Sequence, residues 1–273
     1  MSIIQSMILG LIQGLTEFLP VSSSGHLVLG RALLGLPSDN IIFEVFLHFA
    51  TFMAVLVFFF REILGIVKSP YFTLIKSSKA EEHVRGSRYF LYIIAGTIPA
   101  AIIGILLKKE IEKAFASPFL VGIMLLVTSA ILFATHFARP KRQVLRLPDG
   151  LIIGLAQAAA ILPGISRSGA TISTGMFLGI DKETAFSFSF ILSLPAILGA
   201  FLLELKEAVA LSLPMDQVLI YIAGMITAFA SGYICLVILR KIVIAGKFGY
   251  FGIYTLIIGL LTIIFHTWIE SAS

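Results

Sequence analysis

The stretch from Gln13 to Gly30 reads Gln-Gly-Leu-Thr-Glu-Phe-Leu-Pro-Val-Ser-Ser-Ser-Gly-His-Leu-Val-Leu-Gly, inside a chain that is otherwise almost continuously apolar. Within ten residues it gathers a carboxylate (Glu17), a helix-breaking Pro20, three hydroxyls (Ser22, Ser23, Ser24), Gly25 and an imidazole (His26). A charge at membrane depth costs roughly 2.5–3.5 kcal/mol on insertion scales, so this cluster requires a protein-lined or wet cavity and implies a task. The stretch returns downstream. Laying Gly10-Leu11-Ile12-Gln13 on Gly154-Leu155-Ala156-Gln157 and continuing without a gap places Ser22 over Ser166, Ser24 over Ser168 and Gly25 over Gly169. At the same offset Ser23 faces Arg167. The pattern reads as an internal duplication whose two copies have diverged in charge.

Hydrophobic residues make up 58% of the 273 and charged ones 13%, and several apolar runs are long enough to cross about 30 Å of hydrocarbon. The chain is therefore read as an integral membrane protein. Its opening segment has no basic start and carries Gln13 and Glu17, so it is read as retained and not as a cleaved signal. Cys235, the only cysteine, excludes an intramolecular disulfide or a cysteine-rich metal cage and reads as a small apolar helix residue. The net charge of +5 is assigned to loop Lys and Arg near anionic lipid, with no nucleic-acid partner.

Taken in order, residues 3–18 form an apolar helix too short to span, broken at Leu19-Pro20-Val21, and a second short helix restarts near Ser24 and runs to Leu34. Such a pair is the mark of a re-entrant element, tolerated only where its turn is buried in protein or lines a cavity. Crossings follow at Phe43–Phe60, Tyr89–Leu107 and Phe119–Phe137, with a polar loop from Arg61 to Arg88. The second broken pair occupies 149–178, around Pro163-Gly164. Three further crossings are expected at Ala185–Leu203, Val218–Leu239 and Tyr250–Trp268. Pro99 and Pro195 read as kinks.

The expected fold is thus a single all-α membrane domain, 1–273, of six transmembrane helices plus two re-entrant broken-helix pairs. Repeat one spans about 1–137 with its pair at 3–34, and repeat two about 149–268 with its pair at 149–178. Because each repeat has three crossings, an odd number, the second enters from the opposite face. The repeat is inverted, and its broken elements are expected to meet near the midplane. Fourteen Lys and Arg lie in loops of one side (Arg61 to Arg88, Arg139 to Arg146, Lys182, Arg240 to Lys247). Only Arg31, Lys108, Lys109, Lys113 and Lys206 lie on the other. The positive-inside rule makes the richer side cytoplasmic and turns the first re-entrant pair outward.

Helices restarting near Ser24 and Gly169 would point free N–H groups and positive dipole ends into the cavity, a ready anion site that suits phosphate. Arg167 adds a guanidinium for bidentate contact with phosphate oxygens. Glu17 and His26 bring titratable groups, and the serines bring possible nucleophiles. Together these suggest phosphoester or phosphoanhydride hydrolysis on a lipid. A secondary transporter or flippase of a polyprenyl-phosphate lipid, with Glu17 or His26 carrying a coupling proton, is the alternative.

Gln13 to His26, together with Pro-Gly-Ile-Ser-Arg-Ser-Gly-Ala-Thr at Pro163 to Thr171, closely resembles the two signatures of bacterial undecaprenyl-diphosphate phosphatases, the bacitracin-resistance protein family. The resemblance covers essentially the whole chain in length, segment order and motif spacing. It implies removal of the terminal phosphate of undecaprenyl diphosphate, recycling the carrier lipid of peptidoglycan synthesis in the bacterial cytoplasmic membrane. It also implies a divalent cation, Mg²⁺ or Ca²⁺, and an active site open to the outer, periplasmic side.

By the resemblance, Gln13 and Glu17 occupy the family's Glu/Gln-x-x-x-Glu pair, and their i, i+4 spacing places both on one helical face. Many members carry Glu at the first position. Gln13 brings no charge, so the metal assignment falls on Glu17. Ser23 corresponds to the serine favoured as nucleophile, His26 to the essential histidine and Arg167 to the phosphate-clamping arginine. Gln13, Ser22, Ser24, Gly25, Ser166, Ser168 and Thr171 are assigned to substrate binding. The roles of base and nucleophile among Ser23, His26 and Glu17 stay interchangeable, and direct attack by water fits equally well.

His48, with Thr51, reads as core packing, and His83, His136 and His266 as solvated. The cluster Lys79 to Arg85 reads as a solvated loop. Ser24-Gly25-His26 also echoes the phosphatidic-acid-phosphatase type of lipid phosphatase, but Ser166-Arg167 lacks the His that type requires next. Beyond membrane lipids and the polyprenyl diphosphate, a homodimer stays open.

Overall fold

The computed structural model describes residues 1–36, 41–76, 80–115, 117–209 and 215–267. Among them the chain is helical throughout: α1 (Ile3–Phe18), α2 (Ser23–Leu34), α3 (Ile41–Phe58), α4 (Phe60–Pro70), α5 (Glu81–Leu106), α6 (Lys108–Phe115), α7 (Pro118–Ala134), α8 (Leu147–Ala159), α9 (Arg167–Phe177), α10 (Lys182–Val209), α11 (Met215–Ile244) and α12 (Phe251–Ile264). The described residues contain one isolated β-bridge, Arg142 with Ile180.

Four helical segments are long and apolar enough to cross a membrane: Glu81–Leu106, Pro118–Phe137, Lys182–Leu202 and Gln217–Ile244. A fifth is present if the pair Ile42–Phe58 and Phe60–Ile75, bent by 79°, counts as one span. The six expected crossings are thus met at four or five places by length and composition. The last, expected over Tyr250–Trp268, is a shorter apolar helix over Phe248–Ile264, and Trp268 lies outside the described residues. Large apolar side chains such as Ile98, Ile105, Ile226, Ile234 and Ile257 point outward, which only a lipid solvent makes favourable. The protein is a multi-pass membrane protein.

The loop expected from Arg61 to Arg88 is instead mostly helical. It holds α4, a π-turn over Tyr71–Ile75 and the first two turns of α5, with Lys79 outside the described residues. Its charges hid a helical period. Ile66 and Ser69 pack inward, whereas Phe60, Leu64 and Val67 are exposed between Arg61, Glu62 and Lys68, the composition of a helix lying in a membrane interface. α5 and α10 run on through Pro99 and Pro195.

Small residues set the packing. α1 lies against α11 and α8 against α5. A Cβ on Gly10 would sit 2.3 Å from the Gly224 carbonyl oxygen, and one on Gly154 would sit 2.2 Å from that of Gly96. Backbones therefore touch, the usual way helices gain dispersion energy in lipid, where burial of apolar surface offers little. α7 meets α12 in the same manner at Gly122 and Gly259, and α3 packs on both α10 and α11. Next to these seams Phe18 packs edge-on against Phe190 at 5.6 Å, within a cluster that includes Phe59 and Phe186. This cluster closes the core beneath the C-terminal end of α1. Cys235 is buried in the same core, its thiol 3.3 Å from the Leu15 carbonyl oxygen.

Candidate active site

α1 stops at Phe18 because Leu19 turns extended (φ −62°, ψ 146°) ahead of Pro20, which has no N–H to continue the ladder. α2 starts at Ser23, and the residue before it, Ser22, sits at φ 67°, the only positive φ at a non-glycine among the described residues. Such a conformation costs of order 1–3 kcal/mol and persists only when its surroundings over-determine it. The second break supplies part of that. Gly164, at φ 95°, donates its N–H to Ser22 Oγ at 3.2 Å, and its carbonyl oxygen accepts from Thr128 Oγ1 at 2.9 Å. Thr128 Oγ1 in turn accepts the Ser166 N–H at 3.1 Å. Ser166 caps α9 by accepting the Gly169 N–H at 3.1 Å, and a Cβ on Gly169 would meet Pro20 at 3.3 Å. The two breaks are docked against each other.

At that junction Glu17 is the hub. Its Oε2 accepts from Ser23 Oγ at 2.6 Å and from Gln13 Nε2 at 3.1 Å, and its Oε1 pairs with Arg167 Nη2 at 2.6 Å. Gln13 Nε2 also lies 3.0 Å from His48 Nδ1, which is itself 3.5 Å from Glu17 Oε2. The Gln13 amide orientation follows from these neighbours, since turning it over would set its carbonyl oxygen against the carboxylate. The Glu17 side chain is 7% exposed and that of Arg167 16%. Gln13 Oε1 and Arg167 Nη1 are buried and have no hydrogen-bond partner in the protein. Buried polar atoms are almost always satisfied, so both are groups to which a ligand oxygen or cation can be fitted.

The remaining residues expected here belong to the two breaks, and none of their hydrogen bonds reaches Glu17. Ser22 and Ser24 hydroxyls lie 3.2 Å apart, as do those of Ser166 and Ser168. Thr171 Oγ1 donates back to the Arg167 carbonyl oxygen at 2.8 Å and also bonds Ser189. Gly25 leaves only van der Waals room for a Cβ, 3.4 Å from Val121. His26 is turned elsewhere. Its Nδ1 is 2.9 Å from the Ser22 carbonyl oxygen and its Nε2 2.7 Å from the Tyr254 hydroxyl.

Two participants were not legible beforehand. The sequence reads His48 as core packing, whereas its ring joins Gln13 and Glu17. An imidazole within an apolar crossing was the available signal, but its partners lie on another helix, out of reach of any spacing rule. Tyr254 comes from α12, near the far end of the chain, and looked like any other aromatic on a lipid-facing helix.

Among the described residues no three His, Cys, Asp or Glu side chains form a metal-holding group. The oxygen donors at the hub, one carboxylate and the unpartnered Gln13 carbonyl, fit a hard cation that keeps most of its ligands as water and substrate phosphate.

Residues 6–261 match the family described as "Bacitracin resistance protein BacA". The chain is similar to proteins named undecaprenyl-diphosphatase from Desulforapulum autotrophicum (42% identical, 97% of this chain and 98% of the relative covered) and Bacteroides fragilis (43%, 95% and 97%). A protein of that name from Methanosphaera stadtmanae is 39% identical, with 97% and 98% covered. The chain belongs to the bacitracin resistance protein family.

Proposed function

We propose that this protein hydrolyses undecaprenyl diphosphate to undecaprenyl phosphate and orthophosphate, recycling the carrier lipid of peptidoglycan synthesis and conferring bacitracin resistance. One observation carries the mechanism: Ser23 Oγ donates its hydrogen to a carboxylate, Glu17, whose other oxygen is held by Arg167. A hydroxyl bound to a buried base is an activated nucleophile, and the base is held in place by a third group.

Ser23 Oγ attacks the terminal phosphorus and passes its proton to Glu17, while the bond to the bridging oxygen breaks and undecaprenyl phosphate leaves. Water then attacks the phosphoserine, orthophosphate departs and Ser23 regains a proton through Glu17. Arg167 keeps Nη2 on Glu17 and offers the unpartnered Nη1 to a phosphate oxygen. The first N–H groups of α2 and α9 add fixed positive ends where charge develops. Glu17 and Gln13 Oε1 would hold the Mg²⁺ or Ca²⁺, whose contribution when bound is to neutralise phosphate charge. Gln13, Ser22, Ser24, Gly25, Ser166, Ser168 and Thr171 are assigned to substrate binding, with Thr171 holding the Arg167 turn through its carbonyl oxygen.

We further read the chain as six crossings and two re-entrant pairs in an inverted repeat. Exchanged packing supports this. α1 on α11 is mirrored by α8 on α5, and the Gly10–Gly224 contact is mirrored by a Gly154–Gly96 contact, with Gly10 and Gly154 at the offset that aligns the two motifs. The excess of Lys and Arg on one side supports a cytoplasmic assignment for that side and a site facing outward. The relatives named above are hydrolases by name, which favours hydrolysis over transport.

Phosphate release from undecaprenyl diphosphate by the detergent-purified protein, with and without Mg²⁺ or Ca²⁺, tests the reading against Glu17→Ala, Ser23→Ala and Arg167→Ala. Rapid quench should trap phosphoserine on Ser23. Release in a single step with no phosphoserine would replace Ser23 by water as the nucleophile, and no release from folded wild type would end the phosphatase reading.

A further inference from the structure

His26 is the family's expected histidine, yet neither ring nitrogen is spent on Glu17, Ser23 or Arg167. Nδ1 faces the Ser22 carbonyl oxygen at 2.9 Å. A carbonyl only accepts, so Nδ1 carries the hydrogen, and Nε2 holds the lone pair that accepts the Tyr254 hydroxyl at 2.7 Å. The two rings also stack, with centroids 5.6 Å apart and planes 14° from parallel. The Ser22 carbonyl oxygen thus fixes the tautomer, and Tyr254 fixes the orientation of the imidazole.

The Ser22 carbonyl oxygen accepts a second hydrogen from His26, that of its backbone N–H at 3.3 Å. Ser22 is the strained residue at φ 67°. The next residue, Ser23, puts its hydroxyl on Glu17 at 2.6 Å. If Ser22 relaxed to an ordinary negative φ, the peptide leading to Ser23 would rotate and carry that hydroxyl off the carboxylate.

We infer that His26 is a positioning residue and not a proton carrier: it clamps the Ser22 carbonyl so that the strained turn delivers Ser23 to Glu17, with Tyr254 locking the clamp from α12. The inference rests on Ser23 acting in phosphate release, as proposed above.

Asparagine at position 26 separates the two roles. Its side-chain nitrogen sits as far from Cβ as Nδ1 does and can donate to Ser22, but the amide cannot carry a proton between groups. In full-length protein, His26→Ala should lose roughly a hundredfold in kcat, the scale for nucleophile misplacement by about 1 Å. His26→Asn should recover to within about fivefold of wild type. Tyr254→Phe keeps the stacked ring and should lower kcat about three- to tenfold with KM unchanged. A His26→Asn variant that unfolds at the wild-type temperature but is as inactive as His26→Ala would overturn the clamp in favour of proton transfer.

Nitrogen-15 NMR of the histidine ring gives a readout independent of activity. Hydrogen on Nδ1 is expected, and a hydrogen on Nε2 alone would overturn the inference. Should wild type release no phosphate, that failure belongs to the phosphatase reading, and the tautomer still decides the clamp.

Discussion

Arg167 Nη2 lies 2.6 Å from Glu17 Oε1, joining two residues separated by 150 positions and by the duplication itself. Each charge exists at depth because of the other. Removing one partner with Arg167→Ala should cost about 3–5 kcal/mol by leaving a buried carboxylate unpaired. Arg167→Lys keeps the charge but has no second nitrogen to offer. It should retain most of the stability while kcat falls roughly 10²–10³-fold. Thermal unfolding in detergent beside phosphate release measures both.

His48 accepts from Gln13 through Nδ1. His48→Leu, which installs the residue type found at the corresponding position of the second repeat, Leu192, leaves a buried amide hydrogen unpaired. Stability should drop by about 1–3 kcal/mol, and kcat should drop about tenfold as Glu17 loses a restraint. His48→Gln keeps an acceptor and should recover most of both, as read by unfolding and turnover.

Gln13→Glu adds a second carboxylate beside Glu17. Without divalent cation the like charges should lower the unfolding temperature. With cation, half-maximal phosphate release should come at a concentration lower on the order of tenfold, because an anionic oxygen replaces a neutral one. A Mg²⁺ and Ca²⁺ titration of wild type and variant reads the shift, and an unchanged midpoint would place the cation away from Gln13.

Close helix contact makes its own prediction. Gly10→Ala and Gly154→Ala each push a methyl to within 2.3 Å of a facing backbone oxygen and should destabilise by about 1–3 kcal/mol. Gly65→Ala, where nothing lies within 4 Å, should stabilise α4 by about 0.4–1 kcal/mol. Chemical denaturation in mixed micelles separates the two classes.

Asp149 lies in the first turn of α8. Burial pushes its carboxyl up, but two hydrogen bonds from Arg142, one from the Arg146 N–H and the charge of both arginines outweigh that and hold it below the usual carboxylate range. A depressed pKa adds stability that is present above the unfolded value and is lost as pH falls through the folded one. Asp149→Asn should therefore be less stable than wild type near neutrality, with the gap closing below about pH 4, where the unfolded carboxyl is protonated. Unfolding temperatures across that pH range test the sign.

Much of this was written locally. The break at Pro20, the Ser-rich restart and the matching Pro163 turn follow from backbone chemistry, and apolar length alone locates α5, α7, α10 and α11. α4 was missed because its charges look like a loop until the residues between them are placed on a helix. His48 and Tyr254 were missed for another reason: each acts through a partner on a different helix, and no periodicity within one segment reports a contact between segments. Glu17 and Arg167 could be expected at one site in advance only because the duplication gave the two breaks a common frame.

Tyr254 reaches Ser22 through His26, and Ser22 receives an N–H from Gly164, so the first turn of the protein takes its working shape from parts made much later. During synthesis, α1 and α2 leave the ribosome long before α12 exists. Until α9 is made Glu17 lacks Arg167, and until α12 is made His26 lacks Tyr254. By the proposed clamp, a nascent chain should reach its full rate only once the last helix is in place.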